Sequence, residues 1–380
     1  MTTPRPPAGP RVAEPETARP HVVVSWLSTG HGGAERSTAD VIDGLAAVPS
    51  LRVSAVWAGE AGPALSAAEV TSCSVAGYRA RLEAVCGAAG RPPRLLLGSH
   101  RTVEVDAEVG ADLGIPVVTV VRAVLGATGS LRILDPATAS LVKRPVTALG
   151  HWSALPVRWV GVSRASCHSL QRVGVDAGRR EVIYNGVGVP DRWSPLPDPD
   201  RMPVFLVMSR AERWKQVDLA ITAFAAVADV ARLVVVAQGP CLAELQALAA
   251  GLGIAERVSF RPWAPSPYEY FDQADILLHV ASREAFGRVV AEAGAAGRPA
   301  VVPDAGGAAE IVRPEQTGLV FEADSPTALA ACLRRCVRLW HAGRLIEMGA
   351  AARSVVQRQF SLPALQSNYR RLVAGFVGPR

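Results

Sequence analysis

The chain has 380 residues, 49% of them hydrophobic, which is too long for one ordinary core and suits two domains. Its formal net charge is +6, yet it contains only two lysines, Lys143 and Lys215, and its arginines are spread along the whole length; this is not the focused basic stripe of a nucleic-acid binder. No apolar run approaches the ~20 residues of a membrane-spanning helix, and the six cysteines, at 73, 86, 167, 241, 332 and 336, form no C-x-x-C pair and read as reduced core thiols.

Residues 1–20 are rich in Pro, Arg and Thr and lack the apolar centre of an export signal, so they read as a disordered tail and a cytoplasmic location is expected by default. From residue 21 short β-branched runs alternate with Ala/Leu-rich amphipathic stretches. The first half gives strands near 21–27, 51–58, 94–98, 116–121, 158–162 and 181–184, with helices near 33–47, 76–88, 102–113 and 163–173. Gly126, Gly129 and Pro136 interrupt residues 123–153, which yield no clear element. The Pro-rich stretch from 186 to 202 reads as a linker between a first domain, 21–185, and a second that starts at 203. There strands are expected near 204–208, 232–237, 257–260, 275–279, 299–302 and 319–321. Helices are expected near 216–229, 241–252, 267–273, 287–296, 307–312 and 326–352. This alternation implies an α/β chain of two Rossmann-like domains facing a central cleft at their strand ends.

Four loops on that edge carry candidate chemistry. Ser28–Arg36, S-T-G-H-G-G-A-E-R, follows the first strand, but Glu35 stands where a dinucleotide fingerprint needs its third glycine. Ser209–Lys215 sets Arg210 and Lys215 around a strand-end loop; they suit a diphosphate, and a solvated basic loop accounts for them equally well. Glu212 and Arg213 between them read as loop surface. In Ser282–Glu292, S-R-E-A-F-G-R-V-V-A-E, Glu284 lies in the loop, Gly287 opens a helix whose free N–H groups can hold phosphate, and Glu292 lies inside that helix among apolar neighbours. A buried carboxylate there needs partners. Pro303–Val312 places Gly306 and Gly307 at the adjacent strand end, so the third and fourth loops should line one cleft.

These residues resemble the GT-B glycosyltransferases, and within them the retaining glycosyltransferase family 4, from residue 21 to 376. Glu284 to Glu292 matches the family's E-x7-E signature; D-A-G-G-A-A-E-I-V, T-G-L-V-F at 317–321, I-Y-N-G-V at 183–187 and G-G-A-E-R match its flanking patterns. The resemblance implies a second domain, 203–358, that binds a nucleotide-sugar, and a closing helix within 359–380 that crosses back to the acceptor-binding first domain. It implies that Arg210 and Lys215 hold the donor diphosphate and Glu284 the transferred sugar. Main-chain N–H groups at Phe286 and Gly287 would lie near them. Glu292 would bind the ribose, Gly239 would lie near the nucleotide, Trp263 near the base, and Gly33 by the phosphate. Where the family often has a histidine after the strand I-P-V-V-T-V-V, this chain has Arg122; His100 matches a separate strand-end histidine. Arg122, His100 and Glu35 are candidate acceptor or sugar contacts.

The resemblance implies a retaining transfer with no cofactor and no metal: Asp198-Pro199-Asp200 spells D-x-D but sits in the linker. A UDP-sugar is the preferred donor, with GDP open. The acceptor is expected to be a small-molecule hydroxyl; Arg- and Ala-rich usage and the family resemblance suggest secondary metabolism, with an aminocyclitol of antibiotic biosynthesis as one guess, for which carboxylates at Glu35, Glu104, Asp106 and Asp135 are available. No nucleic acid and no strong membrane association are expected, and a homo-oligomer stays open. The alternatives are a nucleotide-sugar epimerase of the same fold, a transferase acting on a lipid or cell-wall glycan, a two-domain NAD-dependent oxidoreductase, and a sugar- or nucleotide-binding module without catalysis.

Overall fold

The computed structural model describes residues 19–28, 32–59, 65, 69–88, 91–126, 129–191, 196 and 201–378. Residues 1–18, Gly30 and Asp198-Pro199-Asp200 lie outside the described residues. The first half runs β1 (His21–Ser28), α1 (Gly33–Ala46), β2 (Arg52–Gly59), β3 (Glu69–Cys73), α2 (Tyr78–Gly87), β4 (Leu95–Ser99), α3 (Val103–Leu113) and β5 (Val117–Val121). It continues through a hairpin, β6 (Ser130–Asp135) and β7 (Ser140–Pro145), to β8 (Val157–Gly161), α4 (Arg164–Ser169) and β9 (Arg180–Val182). Seven of these strands form a parallel sheet in the order β3-β2-β1-β4-β5-β8-β9. β1 is buried along all eight residues, which is why its sequence is a nearly continuous apolar run.

The second half runs β10 (Val204–Arg210), α5 (Val217–Phe224), β11 (Arg232–Gln238), α6 (Leu242–Gly251), β12 (Val258–Arg261), α7 (Tyr268–Phe271), β13 (Ile276–Leu278), α8 (Arg288–Ala295), β14 (Ala300–Pro303) and β15 (Gly318–Phe321). Its parallel sheet has the order β12-β11-β10-β13-β14-β15, with β10 and β11 in register from Val204↔Arg232 to Arg210↔Gln238. Three helices follow: α9 (Pro326–His341), α10 (Arg344–Gln359) and α11 (Leu362–Val377).

Several expectations need correction. The single helix expected over 326–352 is two, because Gly343 takes a left-handed φ of 69° and breaks it. The helix expected over 307–312 is one 3-10 turn, Ala308–Glu310. The helix expected over 163–173 ends at Ser169 and tightens into a 3-10 turn to Val173. β3 and the β6–β7 hairpin appear where none was assigned.

α11 lies on the first domain. The Cβ that Gly44 lacks would fall 2.4 Å from Gln366, and Arg370 Nε donates to Gly44 O at 3.1 Å. Its entry is fixed by Ser361, whose hydroxyl caps Ala364 N–H and whose backbone bridges to Val187. One apolar cluster runs without a break from Val22 and Val41 through Ile183, Phe286 and Phe360 to α8, so the two halves share a core at their junction. All six cysteines are free; Cys86, Cys167 and Cys336 are buried. Among the described residues no helix is long and apolar enough to cross a membrane.

Candidate active site

The second domain contributes three loops. β10 ends on Arg210, and a 3-10 turn, Arg213–Lys215, follows, closed by Gln216 at a left-handed φ of 54°. That turn aims Lys215 inward: its Nζ lies 2.5 Å from Glu284 Oε2, with only 13% and 20% of the two side chains exposed. Arg210 stays 57% exposed at the mouth, its Nη1 2.8 Å from Glu212 Oε1. The Trp214 ring underlies both cations, 4.0 Å from Lys215 Nζ and 5.8 Å from Arg210 Cζ, and its indole N–H is bound by the same Glu212. Glu212, expected to be mere loop surface, therefore orients one cation and the ring beneath both.

Burial by itself would raise the Glu284 carboxyl. Lys215, His279 and the Ala285 N–H together outweigh it and hold the group below the usual carboxylate range. His279 follows β13 and is buried. Desolvation, opposed by Glu284 and aided by Lys215, brings its pKa down to about 4, so the imidazole is neutral at pH 7. Its Nε2 has no hydrogen-bond partner among the described residues.

The third and fourth glycine loops nest against each other, as adjacent strands β13 and β14 require. Gly307 N–H donates to Glu284 O at 2.8 Å, and a Cβ on Gly307 would fall 2.1 Å from Ala285 O. Gly287 takes a φ of 87° and delivers the chain into α8 with its first N–H groups unclaimed by helix bonds. The Phe286 ring turns away into the core, 6.5 Å from Tyr184 and 5.9 Å from Phe360, leaving its main chain toward the loop. Gly239 takes a φ of 144° so that the β11 loop can approach Ala211 O, which a Cβ would meet at 2.7 Å. Trp263, beyond β12, is 43% exposed.

The first domain supplies the opposing wall. Gly33 opens α1, and Glu35 in its first turn is buried. His100 follows β4; burial, reinforced by Arg101, takes its pKa down to about 3. Arg122 follows β5, its Nη1 donating to Asn185 Oδ1 at 2.7 Å and its guanidinium 5.5 Å above the Trp26 ring. Of the carboxylates suggested for a cationic acceptor, three are engaged elsewhere. Glu104 takes the Trp152 indole N–H and His151, Asp106 is buried under Tyr78, Thr102 and Ser25, and Asp135 binds Arg144 and two main-chain N–H groups.

Two side chains join the walls, and sequence reasoning passed over both. Arg288, the first residue of α8, reaches Asp40 Oδ2 at 2.9 Å, Ser37 Oγ at 3.1 Å and Gly186 O at 3.1 Å through Nη1, while its Nε reaches Glu292 Oε1 at 3.3 Å. Glu310 accepts from the N–H groups of Arg164 and Ala165 at 2.9 and 2.8 Å and from Tyr184 Oη at 2.9 Å. A signal for Arg288 was present: a cation at a helix N-terminus opposes the macrodipole and calls for an acid nearby.

Two parallel sheets of this order, joined by a returning C-terminal helix, define the GT-B class of glycosyltransferase folds. The Anabaena protein HepE in complex with UDP and glucose superposes with a TM-score of 0.75 at 20% identity, covering 94% of this chain and 100% of that one. Residues 194–353 match the family model described as Glycosyl transferases group 1, so the second half carries that domain. A D-inositol 3-phosphate glycosyltransferase from Thermomonospora curvata is 39% identical over 93 residues, 24% of this chain and 22% of that protein. A GDP-mannose-dependent alpha-mannosyltransferase from Mycobacterium tuberculosis is 30% identical over 226 residues, 57% of this chain and 52% of that protein. The chain thus spans about half or less of the length of these curated relatives.

Proposed function

We propose that the chain is a retaining glycosyltransferase that moves a sugar from a nucleotide-sugar to a small-molecule hydroxyl. The observation that carries this reading is the Lys215–Glu284 pair, largely shielded from solvent beside the start of α8, where Arg288 reaches α1 of the first domain. As the donor's sugar–phosphate bond breaks, negative charge gathers on the leaving diphosphate. Arg210, Lys215 and the α8 N-terminus offset it, without a metal. Glu284 accepts hydrogen bonds from the sugar and Glu292 from the ribose; Phe286 and Gly287 offer main-chain N–H groups, Gly239 admits the nucleotide and Trp263 flanks the base. The acceptor oxygen attacks from the leaving-group face and its proton passes to a donor phosphate oxygen.

A dinucleotide-dependent oxidoreductase fits poorly. The Arg288 side chain comes within 3.3 Å of where a Gly33 Cβ would stand, filling the space over the first loop that a pyrophosphate would need. The aminocyclitol reading loses three of its four supporting carboxylates. A cytoplasmic setting belongs to the transferase reading.

Incubation with UDP- and GDP-sugars, with and without a panel of neutral, anionic and cationic hydroxyl acceptors, tests it. The expected result is nucleotide release that depends on an acceptor and is insensitive to a metal chelator. Acceptor-independent release or sugar inversion would point to a hydrolase or epimerase, and binding without turnover to a carrier.

A further inference from the structure

We propose that Arg288 is a positioning residue that couples the donor pocket to the opposite wall: one edge of its guanidinium fixes Glu292 and the other grips Asp40 of α1. This rests on the nucleotide-sugar reading and adds a residue pair to it.

The geometry is unusual for a surface arginine. The guanidinium spans three separate segments, α1, the Gly186 turn and its own helix, with four contacts of 2.9–3.3 Å. Its side chain is 16% exposed and those of Glu292 and Asp40 are 11% and 22% exposed. The arginine stem runs over Gly33, whose missing side chain makes room for it. A planar fork of N–H donors can serve two carboxylates in two directions; an ammonium on the same helix position cannot.

The arrangement divides the charge. With Asp40 present, Arg288 is drawn across the junction and takes only Glu292 Oε1. Glu292 Oε2 has no hydrogen-bond partner among the described residues and remains for a ligand hydroxyl pair. Without Asp40 the guanidinium has one carboxylate left to satisfy and competes with the ligand for it. Burial raises the Asp40 carboxyl even against the pull of Arg288, so the contact is desolvated and sensitive to loss of either partner. Nucleotide affinity should therefore depend on a first-domain residue, and the dependence should vanish when Arg288 is gone.

The experiment is calorimetric binding of UDP and of GDP to native chain, Asp40→Asn, Arg288→Gln, Arg288→Lys and the double variant Asp40→Asn/Arg288→Gln, with small-angle scattering of each. Asp40→Asn should weaken the nucleotide that the native chain binds by roughly five-fold or more. The double variant should be no weaker than Arg288→Gln alone, and Arg288→Lys should restore only part of the loss. Scattering should show a wider cleft in Asp40→Asn. If that variant does not fold, Ser37→Ala, which removes one contact of the same guanidinium, should show a smaller loss in the same direction. Unchanged affinity in Asp40→Asn, or losses that simply add, would overturn the coupling while leaving the donor reading intact. A native chain that binds neither nucleotide would overturn the donor reading itself.

Discussion

Lys215 and Glu284 satisfy each other, and this explains how two charges are tolerated where little water reaches them. A largely buried pair is costly to break by removing one partner, so Glu284→Gln should lower stability as well as transfer, whereas Arg210, exposed at the mouth, should affect transfer alone. Comparing melting temperature with turnover for Glu284→Gln and Arg210→Ala checks this contrast. The two buried histidines make a separate prediction. His100 and His279 titrate near 3 and 4 when folded and near 6.5 when unfolded. Between those values the unfolded histidines bind protons that the folded ones do not, so the stability these two contribute is full above about pH 6.5 and falls as the pH drops toward 4, while Asp106, raised by burial to about 7, acts in the opposite sense. Denaturant titrations of the native chain and of a variant with both histidines replaced by Gln should differ by this loss, the native chain falling more steeply as the pH drops.

At the scale of elements, the site depends on loops that only glycine can make. Gly287→Ala would force a Cβ into a left-handed backbone and to 3.0 Å from the Ala308 Cβ, and should cost roughly 1–2 kcal/mol. Gly307→Ala would drive a methyl into Ala285 O and displace the Glu284 loop, at about 1–3 kcal/mol with loss of nucleotide binding. Chemical denaturation of the two variants measures both. The buried strands were legible because parallel sheets covered on both faces are written as apolar runs, as in His21–Ser28. β3, E-V-T-S-C, was not, because a short polar edge strand is defined by its pairing with β2 rather than by its own pattern. The hairpin was masked by Gly129 and Pro136, and the break at Gly343 by an amphipathic pattern that continues on both sides. Among site residues, the glutamates and strand-end cations stood out by spacing. Arg288 lay within the same motif, but its partners Asp40 and Ser37 are about 250 residues away, and no local pattern links them.

Taken whole, the molecule joins its two sheets by a shared apolar cluster, two polar straps and a returning helix. Arg288 and Glu310 are the straps, and α11 closes the first domain over α1. The cations that would meet a diphosphate come from the second sheet, and the candidate acceptor contacts Glu35, His100 and Arg122 come from the first, so the proposed transfer would draw on both. In the proposed reaction the Lys215–Glu284 site binds and cleaves a nucleotide-sugar. Its most direct test is mass-spectrometric detection of nucleotide-sugar consumption with an acceptor panel, native chain against Lys215→Ala at equal folded concentration. The structure predicts glycoside product and free nucleotide from the native chain and none from Lys215→Ala. Equal turnover by the variant, or no consumption by the native chain, would contradict it.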